Sequence, residues 1–458
     1  MHEHASLRRR HPARDRPARL RHHVARAHGA RCAGGGHRTP ARLRGALRDC
    51  RAARHGRLFG GHPPGRRRHS PAGRQGSPSQ DDAPEASLVA LPKTSDVVIV
   101  GAGAVGTGIA YHLARRGQRR VVVLEQDAVG SGTTSKAAGG IRAQFSTETE
   151  IRISLECIKV FEHFEDEFGV DIGYRKIGYL SLITDEADLR GYEPRIALQN
   201  RLGVDVRVIT PKEAQVIVPA MRVDDLIAAV WSPGDGMAGP AEVTNAFARR
   251  ARELGAVIVE GVEVTGIDLK TRVVRTSQGE ITAPTIVNAA GPRAARVARM
   301  VGVDVAVHPR RRHIFFTEPF PEIPGPTPLT TDRGSGMYFR KEMEQLLISP
   351  GDVVDVGDDM NVALDAEKRD EAVEKAIHRL PILERARIAG GWAGLRPLTP
   401  DEHAIIGWAP GVEGFFLAVG FCGHGFQHSP ATGRLVADWL VDGRPPMDLS
   451  VFDPNRFA

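Results

Sequence analysis

Gly101, Gly103 and Gly106 are spaced G-x-G-x-x-G in the stretch DVVIVGAGAVGTGIAYHLARRGQRRVVVLE, residues 96–125. This pattern suits a nucleotide pyrophosphate. The first glycine allows a tight turn, the second lets the backbone approach the phosphates, and the third lets helix and strand pack closely. Ala104 and Val105 fall in the same turn. The helix that follows offers free N–H groups and a partial positive charge at its N-terminus. Glu125 closes the unit, where a carboxylate accepts hydrogen bonds from a ribose hydroxyl. Strand, glycines, helix, strand and acid fall in the order that dinucleotide binding requires.

Three further stretches carry polar or small residues in chemically useful arrangements. GSGTTSKAAGGIRAQF, residues 130–145, is a glycine- and hydroxyl-rich loop with two cations, Lys136 and Arg142. TIVNAAGPRA, residues 285–294, is a strand that breaks into Ala-Ala-Gly, and small residues there permit close approach to a ligand. FCGHGFQHSPATGRLVADWL, residues 421–440, follows the strand GFFLAVG. His403 and Asp401 are catalytic by type, but TPDEH reads as a loop-shaping segment.

The elements that must position these residues read as follows. Val97–Val100 and Val121–Leu124 are apolar at every position, as in strands buried on both faces of a parallel sheet. Ile109, Ala110, Leu113 and Ala114 mark a helix that ends near Gly117. A helix starts at Ser146 or Thr147, with Glu150 as capping-box partner and an apolar face through Ile151, Leu155, Ile158 and Phe161. GYLSLI, residues 178–183, is a strand, and residues 185–230 read as helices and turns. Pro240 opens a helix that Gly255 closes, and AVIVEGVEVTGI reads as one strand kinked at Gly261. A hairpin-like segment leads to TIVNAAGP. Residues 304–350 suggest an antiparallel sheet, with a helix at 365–380. Pro430 opens a last helix bearing Leu435, Val436 and Leu440.

Charge divides the chain. The first 80 residues hold 20 Arg, no Lys and three acids, a net +17, so the chain total of +7 leaves the rest at −10. Residues 1–94 read as an Arg-rich extension that does not fold alone. A nucleic-acid arm, a transit peptide and a twin-arginine signal each lack a needed feature: aromatics and lysine, an unbroken amphipathic run, an apolar core. The composition resembles translated GC-rich sequence, with no Met between Met1 and Met221, which makes Val89 the expected start. The acidic body gives no nucleic-acid surface. No stretch is apolar enough for a membrane span. Cys32, Cys50, Cys157 and Cys422 form no C-x-x-C pair or metal cluster, which points to a cytoplasmic protein without a metal site.

Nucleotide-binding elements stand at the start, middle and end, with strand-rich material between. The expected fold is α/β with two lobes: a Rossmann-like dinucleotide-binding domain at 95–180, 236–300 and 389–458, interleaved with an antiparallel-sheet substrate domain at 181–235 and 301–388. VVIVGAGAVG with Glu125, the GSGTTSKAAGGIR loop, NAAGP, WAGLRPLTPDEHAIIG and GHGFQHSPATG together span residues 95–458. On these motifs the chain resembles the D-amino-acid-oxidase-like family of FAD-dependent oxidoreductases, which includes glycine oxidase and the sarcosine oxidase β subunit.

The resemblance implies FAD. Gly101 to Gly106 would hold the pyrophosphate and Glu125, with Gln126 beside it, the ribose. Ser131, Thr133, Thr134, Ser135, Gly139 and Gly140 would lie along the cofactor. Val262 would meet the adenine, and Ala290 and Gly291 would approach the ligand closely. The N–H groups of Gly423, His424, Gly425 and Phe426 would stabilise negative charge on the reduced flavin. Arg396 matches the arginine that holds a substrate carboxylate, with Arg142 and Arg340 as further candidates. Gln427 stands where monomeric sarcosine oxidase has a carboxylate-binding lysine. Gly394 and Lys136 replace the residues that tether flavin in relatives, so FAD should be non-covalent. The strand around Leu346 lacks an oxygen-activating lysine, which makes an electron-transfer partner or second subunit plausible. The implied activity is oxidation of a small amino acid or N-methylated amine such as sarcosine, glycine or proline. The alternatives are a dehydrogenase subunit or a non-catalytic assembly factor.

Overall fold

The computed structural model describes residues 89–118 and 120–457. The expectations for residues 1–88 of the Arg-rich extension, Cys32 and Cys50 lie outside the described residues. Of residues 89–94, expected not to fold alone, Thr94 bridges Thr282 of a three-stranded sheet. The fold is mixed α/β, as the sequence predicts.

Val97–Val100 is central in a six-stranded sheet, with Thr285–Asn288 on one side and Val121–Leu124 on the other, both parallel to it. Phe415–Val419 extends the sheet in parallel and Ile405–Trp408 antiparallel, while Val257–Val259 closes the far edge. All four residues of each central strand are buried. Both faces are covered, which is why these strands are apolar throughout rather than alternating.

One face packs on the helices Ala104–Arg115, Glu148–Glu162, Pro240–Glu253 and Gly425–Asp442. The other packs on the three-stranded sheet Val264–Asp268, Val273–Thr276 and Gly279–Thr282. Gly433 of the last helix meets Gly108 of the first, where a Cβ at 433 would lie 2.6 Å from the Gly108 carbonyl carbon. This contact sets the C-terminal helix directly against the glycine-motif helix.

A nine-stranded mixed sheet forms the second layer system. His308–Thr317 pairs along its length with Ile388–Leu398, and Tyr338–Glu342 forms a hairpin with Gln345–Ser349. Leu180, Leu182, Phe315, Phe339 and Ile348 point to the face covered by Pro211–Ile217 and Ala366–Arg379. By the period of two along a strand, Tyr179, Tyr338, Arg340, Arg312 and Arg396 belong to the opposite face.

Several expected elements differ. Residues 185–230 contain two strands, Arg207–Ile209 and Ala228–Ser232, besides helices. The first is a short exposed edge and the second is Ala-rich, so neither carries a strong alternation signal. AVIVEGVEVTGI is not one kinked strand. It breaks at Gly261, and its halves join different sheets. The final helix begins at Gly425, not Pro430. Proline removes the N–H that would reach the carbonyl of Phe426, and the Ser429 hydroxyl donates to that carbonyl instead, at 2.8 Å. On the helix Glu148–Glu162 the buried side holds Ile151, Ile153, Ser154, Cys157 and Phe161, with Leu155 and Ile158 only partly buried. Ile388–Leu398 belongs to the large sheet, so sheet membership changes after Leu398 rather than at residue 389. Among the described residues no helix is long and apolar enough to cross a membrane.

Candidate active site

A cleft of about 360 Å³ runs along the C-terminal ends of the parallel strands. This is where open α/β sheets bind ligands. Gly101, Gly103, Ala104 and Val105 line it. At Gly101 φ is +105°, and a Cβ would lie 2.6 Å from the carbonyl oxygen of Ala289. A Cβ at Gly106 would overlap the carbonyl of Gly101, so Gly106 serves helix–strand packing and is not itself on the cleft wall. No side chain caps the helix at Gly103. Its first amides are left for a ligand, apart from Ala104 N–H, which donates to Thr134 Oγ1 at 3.2 Å.

Glu125, Gln126 and Val262 form the far wall. The Glu125 carboxylate accepts from the N–H groups of Ala102, at 2.8 Å, and Asp127, at 3.0 Å. These bonds hold it between the glycine turn and the second strand. Ser131, Thr133 and Thr134 line the near side, and Ala290 and Gly291 the floor. Thr133 Oγ1 donates to the Leu395 carbonyl at 2.9 Å, and Trp392 Nε1 to that of Lys136 at 3.1 Å. The hydroxyl-rich loop is thus pinned between the first helix and the strand Ile388–Leu398. Gly423, Gly425 and Phe426 complete the wall, and the helix they open also lacks a side-chain cap.

Some expected residues stand elsewhere. Ser135 Oγ donates to its own turn, to the carbonyls of Ser131 and Gly132. Gly139 and Gly140 join the loop to Gly236–Met237. Sequence reasoning missed Arg293, Met360 and Val362 on the cleft wall. Met360 and Val362 come from an irregular segment after the large sheet, and no local pattern announces them.

Beyond the C-terminal helix start lies a basic cluster. The Arg396 guanidinium packs against Gly423 and makes no ion pair among the described residues. Burial first, then the neighbouring Arg312, pushes its pKa down to about 10, so it stays charged at neutral pH. Arg142 Nη2 donates to His424 Nε2 at 2.9 Å, and its guanidinium stacks 4.2 Å from the Phe145 ring centre. Burial holds His424 well below the usual histidine range. The imidazole is therefore neutral, accepts at Nε2 and carries its proton on Nδ1.

Gln427 and Arg340 are placed against their expected roles. Gln427 Oε1 accepts from Arg142 N–H at 3.1 Å, and its Nε2 donates to the Arg142 carbonyl at 3.3 Å. Its amide holds the Arg142 backbone and is not free to anchor a carboxylate. Arg340 pairs with Glu342 and donates to the Ala138 carbonyl at 2.8 Å. It ties two segments together instead of presenting an open cation. Asp401 accepts from Thr399 and the His403 N–H and pairs with Arg456, while His403 meets Glu150 at 3.1 Å. Both shape the loop.

A sequence profile described as "DAO: FAD dependent oxidoreductase" matches residues 96–439. The chain belongs to this family. Its cofactor is FAD. Human mitochondrial sarcosine dehydrogenase is 32% identical over 384 residues, covering 80% of this chain and 42% of that protein. Glycine oxidase of Geobacillus kaustophilus is 31% identical over 381 residues, covering 79% of this chain and 97% of that protein. The crystal structure of L-proline dehydrogenase from P. horikoshii matches at TM-score 0.75 and 31% identity, covering 80% of this chain and 98% of that one. The chain spans less than half the length of the sarcosine and dimethylglycine dehydrogenases it matches, 42% to 48%. The cleft fits the cofactor: two uncapped helix N-termini, glycines where a Cβ would intrude, and a carboxylate held at the end of the second strand.

Proposed function

We propose that this protein oxidises the C–N bond of a small amino acid or N-methyl amino acid to an imine, with FAD held non-covalently. The observation that carries the reading is the Arg396 guanidinium, charged, in no ion pair among the described residues, and packed on Gly423, just before the helix that borders the cleft. A planar guanidinium binds both oxygens of a carboxylate at once. FAD, when bound, would supply the two-electron acceptor for the hydride that leaves the substrate's α C–H.

The chain's own residues then have distinct tasks. Arg396 anchors the substrate carboxylate and so fixes the α carbon relative to the cleft. Gly101, Gly103, Ala104 and Val105 meet the pyrophosphate, and Glu125 the ribose. The N–H groups of Gly423 to Phe426, with the helix dipole behind them, stabilise negative charge at the flavin pyrimidine edge. Neutral His424 orients Arg142. Gly394 and Lys136 lie against each other, with a Cβ at 394 falling 2.7 Å from Lys136 Cβ. Among the described residues lining the cleft there is no cysteine or histidine, which supports non-covalent attachment. Cys157 and Cys422 are free and buried, which supports a cytoplasmic location.

Anaerobic titration with one- and two-carboxylate amines, sarcosine, glycine and proline among them, read as loss of flavin absorbance at ~450 nm, tests the reading. Bleaching is expected. FAD-loaded protein that no amine reduces would overturn it in favour of a non-catalytic role. A second reading, a dehydrogenase passing electrons to a partner protein or second subunit, is favoured by the strand Gln345–Ser349, which carries no lysine. Readmitting air distinguishes the two, because an oxidase recovers its colour and a partner-dependent dehydrogenase does so only slowly.

A further inference from the structure

The basic cluster holds more charge than one carboxylate needs. Arg310 and Arg312 lie on His308–Thr317, opposite Arg396 and Gly394 of the neighbouring strand. All four therefore share one face of the sheet. Arg310 is neutralised by Asp355. Arg312 is not. Its Nε donates to the Asp352 carbonyl at 3.0 Å and its Nη2 to the Gly351 carbonyl at 3.3 Å. These are neutral acceptors, and they hold the guanidinium in place without cancelling its charge.

Two further acids beside the cluster, Asp352 and Asp235, are committed elsewhere. The Asp352 carboxylate accepts from His313 N–H at 3.1 Å and meets His313 Nδ1 at 2.7 Å. The Asp235 carboxylate accepts from Ala143 N–H and Gln144 Nε2, each at 2.8 Å. It faces Arg142 and leaves Arg312 and Arg396 unpaired. Arg312 lies close enough to Arg396 to weaken the hold of the Arg396 guanidinium on its proton. Two like charges in a partly desolvated site repel unless an anion joins them. Negative charge on a reduced cofactor would be met by the uncapped N–H groups of the C-terminal helix start, so it would not call for Arg312.

We infer that the substrate carries a second anionic group: an amino dicarboxylate, or an amine bearing two carboxylate arms, with one carboxylate on Arg396 and the other on Arg312. Arg312 is thus a specificity-determining residue. This inference rests on the amine-oxidation reading above. It selects within that reading against glycine, sarcosine and proline, each of which brings a single carboxylate.

The test uses the FAD-loaded protein and two series. The first pairs sarcosine with N-methylaspartate and iminodiacetate, and glycine with aspartate and glutamate, read by anaerobic flavin bleaching. The second pairs acetate with malonate and succinate as unreactive ligands, read by perturbation of the flavin spectrum. A charge-assisted contact corresponds to roughly 10- to 100-fold in affinity, so each better-fitting two-carboxylate compound should bind that much more tightly. Arg312→Gln should bring the preference to about one, and Arg312→Lys should retain part of it. Equal or better binding of the one-carboxylate compounds overturns the inference and leaves amine oxidation standing. Failure of every amine to bleach the flavin overturns amine oxidation, and the acid series still decides the charge inference, which equal binding of acetate and malonate would overturn. That series needs only the unmodified protein, so it decides even where a variant does not fold.

Discussion

The Arg396 guanidinium rests on the backbone of Gly423: a Cβ at residue 423 would lie 2.5 Å from its Nε and 2.6 Å from its Cζ. The strand that carries the cation and the turn that opens the C-terminal helix are therefore one unit. Gly423 also has φ of +88°, where an L side chain costs about 1–2 kcal/mol. Gly423→Ala should lower the melting temperature of the FAD-loaded protein and displace the guanidinium. We expect a rise in KM for the amine substrate of about 10-fold or more, measured by steady-state kinetics with an artificial acceptor.

Arg396 itself should dominate binding. Arg396→Gln removes the charge and the fork, and the loss of charge-assisted bonds of about 1.5–3 kcal/mol predicts a KM higher by roughly 10- to 100-fold. Arg396→Lys should recover little, because a point charge cannot bind two oxygens in a plane. Equal KM in all three proteins would remove Arg396 from the site.

Cofactor retention should depend on Gly106 through packing. A methyl group there meets the Gly101 carbonyl, which is backbone and cannot rotate away. Gly106→Ala should push the helix Ala104–Arg115 off the strand, open the glycine turn and weaken FAD binding. Fluorescence titration of apoprotein with FAD measures this directly. Unchanged affinity would refute the close-packing account.

Asp235 should make stability depend on pH. Burial raises its pKa to about 6, against about 3.9 in an unfolded chain. The folded state therefore holds the proton more tightly. Its contribution is fully present below about pH 4 and is lost as pH rises through about 6, amounting to on the order of 1–3 kcal/mol. Asp235→Asn should flatten the melting temperature between those pH values relative to the parent protein. It should also loosen the Arg142 loop, because an amide cannot accept from both Ala143 N–H and the Gln144 amide group.

Ser429→Ala probes the start of the C-terminal helix. It leaves the buried Phe426 carbonyl without the donor that replaces the missing Pro430 N–H. A cost of about 1–3 kcal/mol is expected, read as a lower unfolding midpoint in denaturant. Because Phe426 opens onto the cleft, FAD affinity should fall with it.

The parts of this protein whose physics is local are legible in the order of residues. Val97 to Glu125 announces strand, turn, helix, strand and acid within one stretch, because each glycine answers a steric demand of its immediate neighbours. Thr147 and Glu150 mark a helix start for the same reason, since a cap is satisfied within one turn. Which distant residues meet emerges only once the chain is packed. Gln427 holds the Arg142 backbone across 285 positions of chain, and Arg340 is taken up by Glu342 and Ala138, so neither offers the free polar group its residue type suggests. Pro430 sits inside a helix because a side-chain hydroxyl one residue away replaces its missing donor, and a helix-start rule reads only the proline. Arg312 gained its place beside Arg396 from the pairing of two strands some 80 residues apart. Charge and hydrogen-bonding capacity are written in the residues, but whether a cation is neutralised or left for a ligand depends on what the fold sets within a few ångströms of it.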